Sequence, residues 1–340
     1  MLGDLGTPGG AHAALEGSST STRGSVQVAE PRILELAGGV GGAKLAEGLQ
    51  ALVGQRLTVI VNTADDTERH GLLVCPDHDT VLYTLAGLEN EELGWGLRDD
   101  TWTTMSALER YGEEGWFRLG DLDLATHIAR TDRLRRGGRL TEVLLGLQRA
   151  LGLTATILPM TDDPVRTQVR TDDGWLEFQD YFVRLRQTPE VREVRFVGSD
   201  TARPTPEVAV AVDAADIVVV APSNPIVSIG PILALAGVPE LLAAARRRGA
   251  RIVAVSGIIG GKALKGPADR MLASLGHEPS ALGVARGYAG LIDTFVLDTV
   301  DAELAPAVEA LGIRAVVTDT IMSDDASRAR LAGEVLAAAG

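Results

Sequence analysis

The chain has 340 residues, 45% hydrophobic and 23% charged, a balance that buries a core of ordinary size. Its formal charge of −14 argues against duplex nucleic acid as a partner, which is held mainly by clustered Lys and Arg. A single cysteine, Cys75, excludes an intramolecular disulfide and a thiolate zinc cluster and suits a reducing cytoplasm.

No apolar run reaches the roughly 18 residues of a membrane span. Five histidines form no His-x-x-x-His pair, so a metal here would be a hard cation, Mg²⁺ or Mn²⁺, on carboxylates and phosphate. Residues 1–31 are rich in Gly, Ala, Ser and Thr and lack the ordered charged and apolar regions of a signal peptide. They read as a flexible extension ahead of one α/β domain, 32–340.

That domain opens with the apolar run Ile33-Leu34-Glu35-Leu36-Ala37, then a turn carrying Gly38, Gly39, Gly41 and Gly42, then a helical pattern with Lys44. Glycine lets backbone N–H groups approach a phosphate closely, and the following helix offers its unpaired N–H groups to the same anion. The turn departs from the dinucleotide fingerprint because Lys44 holds the third glycine position. It departs from the Walker A loop because Ala43 precedes Lys44 and Leu45 follows it.

A second strand, Leu57-Thr58-Val59-Ile60-Val61, ends in Asn62-Thr63-Ala64-Asp65-Asp66. Asn62 is placed to hydrogen-bond a base or ribose, and Asp65 or Asp66 to face a metal; a solvated acidic turn is the plainer alternative. Pro76-Asp77-His78-Asp79 then opens a helix. Helix capping explains one of these acids but not both. Asp66, Asp77 and Asp79 therefore form a carboxylate set suited to Mg²⁺.

From about 80 to 198 the pattern suggests an inserted region. It is helical around Trp95, Trp102 and Trp116, then alternates about an Asp172-Asp173-Gly174 hairpin signal. Arg118 is a candidate donor to a phosphate or a ring carbonyl, or else the ion-pair partner of Asp121 or Asp123. His127 falls on an apolar helix face, which favours the core. Further buried-strand runs start at Ile217, Arg251, Thr294 and Arg314. Such runs, spaced by helices, predict a Rossmann-like, doubly wound parallel sheet with an inserted helical and β-hairpin region.

Two later turns sit where strands end. Pro222-Ser223-Asn224-Pro225 is a rigid turn whose hydroxyl, amide and N–H groups can meet an anion. The stretch from Ser256 to Pro267 is a second loop of glycines and lysines, with Lys262 as an alternative to Lys44 for stabilising a leaving group. Two such loops on one sheet suggest a long anionic ligand such as a nucleoside diphosphate ester.

Taken together, these segments resemble the 2-phospho-L-lactate transferase family of coenzyme F420 biosynthesis, from Ile33 to about Met322. The motifs that carry the resemblance are Gly38-Gly39-Val40-Gly41-Gly42-Ala43-Lys44-Leu45, Val61-Asn62-Thr63-Ala64-Asp65-Asp66 and Pro76-Asp77-His78-Asp79-Thr80-Val81-Leu82-Tyr83. Leu119-Gly120-Asp121, Leu158-Pro159-Met160-Thr161-Asp162-Asp163-Pro164 and Pro222-Ser223-Asn224-Pro225-Ile226 extend it.

The resemblance implies transfer of a phosphorylated three-carbon acid from a guanosine diphosphate ester to Fo, the deazaflavin 7,8-didemethyl-8-hydroxy-5-deazariboflavin. GMP is released and Mg²⁺ is required. Asp79 and Arg118 match positions that bind Fo, and Asp66 matches an acid near the reaction centre, so Asp66 and Asp79 are the expected catalytic pair. Asp66, Asp77 and Asp79 are the expected metal ligands. The glycine turn with Lys44, and the Ser223-Asn224-Pro225 turn, match the guanosine side, which Asn62 would join.

A Gly42-Ala43 pair stands where archaeal members commonly have Thr-Pro, and the composition has a high-GC actinobacterial look. In that branch the resemblance implies an enolpyruvyl donor and dehydro coenzyme F420-0; archaeal members use the lactyl donor and form F420-0. It also implies a cytoplasmic homodimer. An NAD(P)-dependent oxidoreductase would need the third glycine and a ribose-binding acid, which this chain lacks. A non-catalytic nucleotide-binding module would not need three clustered acids beside an aromatic insertion.

Overall fold

The computed structural model describes residues 30–340; residues 1–29, and with them the expected extension, lie outside the described residues. A seven-stranded sheet runs in the order Arg314–Thr318, Thr294–Asp298, Arg251–Val255, Ile217–Val220, Ile33–Ala37, Leu57–Val61, Thr156–Pro159. All six pairings are parallel. The first strand in the chain lies between the second and the fourth, with Ile33 paired to both Leu57 and Ile217. The order in which strands are added therefore reverses at the boundary between Ile33–Ala37 and Ile217–Val220, the switch point at which such sheets bind ligands.

Both faces of this sheet are covered, which is why its strands read as continuous apolar runs. Leu34, Leu36, Val218, Val220, Ile252 and Ala254 pack into one helical layer with Val208, Ile232 and Leu242. Ile33, Ala37, Val219, Val253 and Val255 pack into the other with Leu45, Leu49, Leu82, Leu331 and Val335. Alternation puts Glu35 on that second face, fully buried, with no hydrogen-bond partner for either carboxyl oxygen among the described residues. Burial pushes its carboxyl well above the usual range.

The expected insertion, about 80–198, is not continuous. Helices Thr103–Arg110, Asp121–Arg135 and Leu140–Ala150 lead back into the main sheet, where Thr156–Pro159 pairs with Leu57–Val61. This four-residue strand, expected within the insertion, is instead an edge of the main sheet. Its open side is closed by the buried Gln148, whose amide accepts from Ile157 N at 2.9 Å and donates to Ile157 O at 2.5 Å. Only afterwards does the chain build a separate antiparallel sheet from Arg166–Thr171, Gly174–Glu177 and Glu193–Val197. The Asp172-Asp173 turn joins its first two strands as expected, with Thr171 opposite Gly174. No helix among the described residues is long and apolar enough to cross a membrane.

Candidate active site

A cavity of about 840 Å³ opens over the switch point. Its floor begins with Gly39, Val40 and Gly41, where helix Val40–Val53 starts with no side-chain cap and no acid in its first turn. The first-turn N–H groups are therefore free for an anion, with the helix dipole behind them. The neighbouring strand ends in Pro222, Ser223 and Asn224, which also line the cavity. Gly38 N donates to Ser223 Oγ at 3.1 Å, locking the two turns together. A Cβ on Gly41 would stand 2.5 Å from Pro222 O, so only glycine lets the turns approach this closely.

Asn224 spends its carbonyl on Ile226 N and Val227 N, an Asx turn that fixes the chain around Pro225. Asn62 is fully buried beneath the cavity and braces other groups. Its amide donates to Asp77 Oδ2 at 3.0 Å and to Val227 O at 3.3 Å, and its carbonyl accepts from Ala64 N. Asn62 thus positions Asp77 and does not reach the cavity wall.

The acids divide sharply. Asp65, Asp77 and Asp79 line the cavity; Asp66 does not. Burial pushes Asp77 up to about 6, partly offset by hydrogen bonds from Asn62 and Gly39 N. Asp65 is pushed well up by burial and then by the charge of Asp77, and its Oδ1 has no partner among the described residues. Asp66 is buried behind this pair beside Cys75, Arg130 and Arg166; burial pushes it up to about 8.

Asp79 is committed elsewhere. Both of its oxygens take Arg130, one through Nη2 and the other at 3.1 Å from Nη1, and Oδ2 also accepts Cys75 N. Burial would raise its carboxyl, but Arg130, helped by His78 and His127, holds it well below the usual range. Arg130 Nη1 also meets His127 Nδ1 at 3.1 Å. A guanidinium only donates, so Nδ1 must accept and the ring proton sits on Nε2, 3.1 Å from Asp123 Oδ1. Tyr83 donates its hydroxyl to the same oxygen at 2.7 Å.

The far wall is aromatic. Tyr83, Trp95, Trp116, Phe117, Phe178 and Phe182 all face the cavity, in a chain only 4% aromatic. Phe178 and Phe182 stack at 5.3 Å, and Trp116 carries the Arg69 guanidinium at 4.3 Å. Arg118 lies over Trp102 at 4.4 Å and makes no ion pair with Asp121 or Asp123, which leaves its donors to the cavity. Lys44 lines the wall with Nζ on Met322 O at 2.9 Å. Burial, then Arg328 and Lys265, lower its pKa. Lys262 is exposed and paired to Asp269 at 3.1 Å; Lys265, in the same loop, faces the cavity instead.

The structure therefore gathers Gly39, Gly41, Lys44, Asp77, Asp79, Arg118, Ser223 and Asn224 around one space, with Gly38, Gly42, Asn62 and Pro225 as supports and Asp66 behind it. Sequence reasoning left Asp65 and Asp66 as alternatives and carried Asp66 forward, whereas Asp65 is the one that faces in; it missed the partner roles of Tyr83, Asp123 and Arg130. His127 is buried as expected, but in a polar network lining the cavity. Asp123, His127 and Arg130 fall at i, i+4 and i+7 of one helix, a polar stripe that the sequence does carry.

A doubly wound sheet with free backbone N–H groups at its switch point, facing buried acids and aromatic rings across one cavity, defines a nucleotide-handling protein of Rossmann type. The chain belongs to the 2-phospho-L-lactate transferase family: the family model described as 2-phospho-L-lactate transferase CofD matches residues 33–332. It is 44% identical over 316 residues to a phosphoenolpyruvate transferase of Kitasatospora aureofaciens, covering 91% of this chain and 98% of the relative. It is 45% identical over 312 residues to that of Streptomyces griseus, covering 90% and 97%. A 2-phospho-L-lactate transferase of Methanosarcina barkeri is 40% identical over 296 residues, covering 87% and 94%. A crystal structure of a UPF0052-family protein from Bacillus halodurans superposes with a TM-score of 0.59 at 16% identity, covering 90% of this chain and 99% of that one, and supports the fold alone.

Proposed function

We propose that this chain transfers a phosphoenolpyruvyl or 2-phospholactyl group from a guanosine diphosphate ester to Fo, releasing GMP and forming dehydro coenzyme F420-0 or F420-0. The observation that carries this reading is the single cavity shared by the uncapped helix start, the buried acids and the aromatic wall. The higher identity to the phosphoenolpyruvate transferases favours the enolpyruvyl donor.

In this reading the first-turn N–H groups and Lys44 take the diphosphate, and the flat Fo ring system lies against Trp116, Phe117 and Phe182 with Arg118 at its edge. The terminal ribityl hydroxyl attacks the phosphorus bearing the three-carbon acid, in line with departing GMP. Such displacements depend on alignment and charge neutralisation more than on covalent help. Asp79, kept anionic by Arg130, accepts a hydrogen bond from an Fo hydroxyl. Asp66 acts at one remove, through Cys75 and Arg130.

The residues present fit Mg²⁺ at one place. Asp65, which is buried, and Asp77, which is half-buried, are neighbouring carboxylates, both pushed up by desolvation, with Asp65 Oδ1 unpartnered among the described residues. A divalent cation favours their ionised forms. The expected set Asp66, Asp77 and Asp79 does not form: no group of three or more His, Cys, Asp or Glu side chains among the described residues is arranged to hold a metal, and Asp66 lies off the cavity. Mg²⁺ usually takes one or two carboxylates plus phosphate oxygens and water. When bound, Mg²⁺ would neutralise charge on the diphosphate. Cytoplasmic location and a homodimer complete the reading on the resemblance alone.

The test is mass spectrometry of products after incubation with Fo, Mg²⁺ and each donor ester. GMP together with dehydro F420-0 or F420-0 is expected. No product with either ester would overturn the reading.

A further inference from the structure

Beside the main cavity lies a second, of about 80 Å³, and Val40, Lys44, Gly94 and Lys265 are among the residues that line both. The side cavity has about a tenth of the main cavity's volume, which suits a small group such as a carboxylate and its neighbouring carbon. It begins at Val40, the residue whose N–H belongs to the diphosphate-facing first turn.

Among the described residues, the charges around this junction leave one cation free. Arg328 is already held by Glu47 and Glu89. Lys44 has given one donor to Met322 O and keeps two. Lys265 makes no hydrogen bond or ion pair among the described residues, although the chain carries a net charge of −14 and Glu91 lies on the same rim. Its ammonium lies so close to Gly94 that a Cβ there would collide with it, and Gly94 also sits at φ +74°. The loop is thus shaped to bring an unpaired ammonium to the mouth between the two cavities.

Resting on the transferase reading above, we propose that Lys265, with Lys44 beside it, binds the carboxylate of the donor's three-carbon acid in the side cavity. The carboxylate is a short bonded path from the phosphorus that the neighbouring turn holds, so an anion on that turn delivers a second anion to this junction. Phosphoenolpyruvate and 2-phospholactate both carry this carboxylate and differ elsewhere, so the subsite serves either acid.

The test compares Lys265→Gln and Lys265→Arg with the wild type, reading KM and kcat for each donor ester and the Kd of GDP, which lacks the carboxylate. Lys265→Gln is expected to raise KM about tenfold for both donors, about 1.4 kcal/mol, with kcat and GDP affinity within about twofold of wild type. Lys265→Arg is expected to restore most of the loss. An unchanged KM in Lys265→Gln would overturn the inference, as would a GDP affinity that falls as far as KM rises, since Lys265 would then serve the diphosphate. A wild type that forms no product would instead overturn the transferase reading itself.

Discussion

The two ends of the cavity are built from different materials. At the end proposed for the nucleotide, the groups facing the cavity are backbone: uncapped N–H groups of helix Val40–Val53, and two strand-end turns locked by Gly38 N on Ser223 Oγ. At the end proposed for the acceptor they are side chains whose character is set by tertiary partners. Asp79 is an anion because Arg130 grips it, while Asp65 and Asp77, which line the same cavity, are pushed toward neutrality. A backbone site tolerates changes of side chain and fails on changes of shape. A network of buried charges fails when any partner is removed.

The largest expected effect breaks the acceptor end. Asp79→Asn leaves the fully buried Arg130 without its counter-charge, which should cost about 3–5 kcal/mol of stability and, with Asp79 lost to Fo, at least about 100-fold in turnover. The double change Asp79→Asn with Arg130→Met should recover much of the melting temperature and none of the activity. Recovery of both would remove Asp79 from substrate binding.

At the nucleotide end, Gly41→Ala should force the new methyl against Pro222 O. The expected cost is about 1–3 kcal/mol of stability and a GDP affinity weakened about tenfold or more, measured by calorimetry. Affinity unchanged in a folded variant would mean that the diphosphate does not use this turn.

The metal expectation sharpens the contrast through pH. Asp77 sits at about 6, and a cation takes the ionised form, so apparent Mg²⁺ affinity should rise from about pH 5.5 to about pH 7.5 with proton release. Asp77→Asn should weaken it about tenfold or more. In the metal-free protein the raised values work the other way: stability falls as pH rises from the unfolded carboxylate value near 4 through about 6, and Asp77→Asn flattens that fall. Mg²⁺ titrations and melting curves across this range read both effects; a pH-independent Mg²⁺ affinity would count against this pair.

The smallest effect lies outside the cavity. Glu35→Leu removes an unpartnered buried carboxyl and should stabilise the fold by about 1–3 kcal/mol. Because the folded value of Glu35 is raised, wild-type stability is lost as pH climbs above the unfolded value, so the gap between wild type and variant should widen with pH. A destabilised Glu35→Leu would mean that this carboxyl has a partner in the folded protein.

Legibility in the sequence followed the same division. The strands, their covering helices and the glycine turn could be read because continuous Val and Ile runs and a glycine cluster before a helix are local signals. The place of Thr156–Pro159 could not: a strand before Met160 is legible, but nothing local says that it joins the main sheet beside Leu57–Val61 rather than the inserted region. Among the acids the types and positions were legible and the assignments were not. Asp65 and Asp66 are adjacent, and only the turn after Leu57–Val61 decides which one faces in. Arg130, remote in sequence from Asp79, has no local signal beyond a polar stripe on its helix. Lys262 and Lys265 differ only in that Asp269 captures the first.

The most direct measurement is a crystal structure of the protein with GDP, Mg²⁺ and Fo together. The expected result is the diphosphate on the first-turn N–H groups of Val40 and Gly41, the metal at Asp65 and Asp77, and the tricyclic ring against Trp116 and Phe117, all in the one 840 Å³ space. GDP and Fo in separate cavities, or the diphosphate away from the glycine turn, would contradict it.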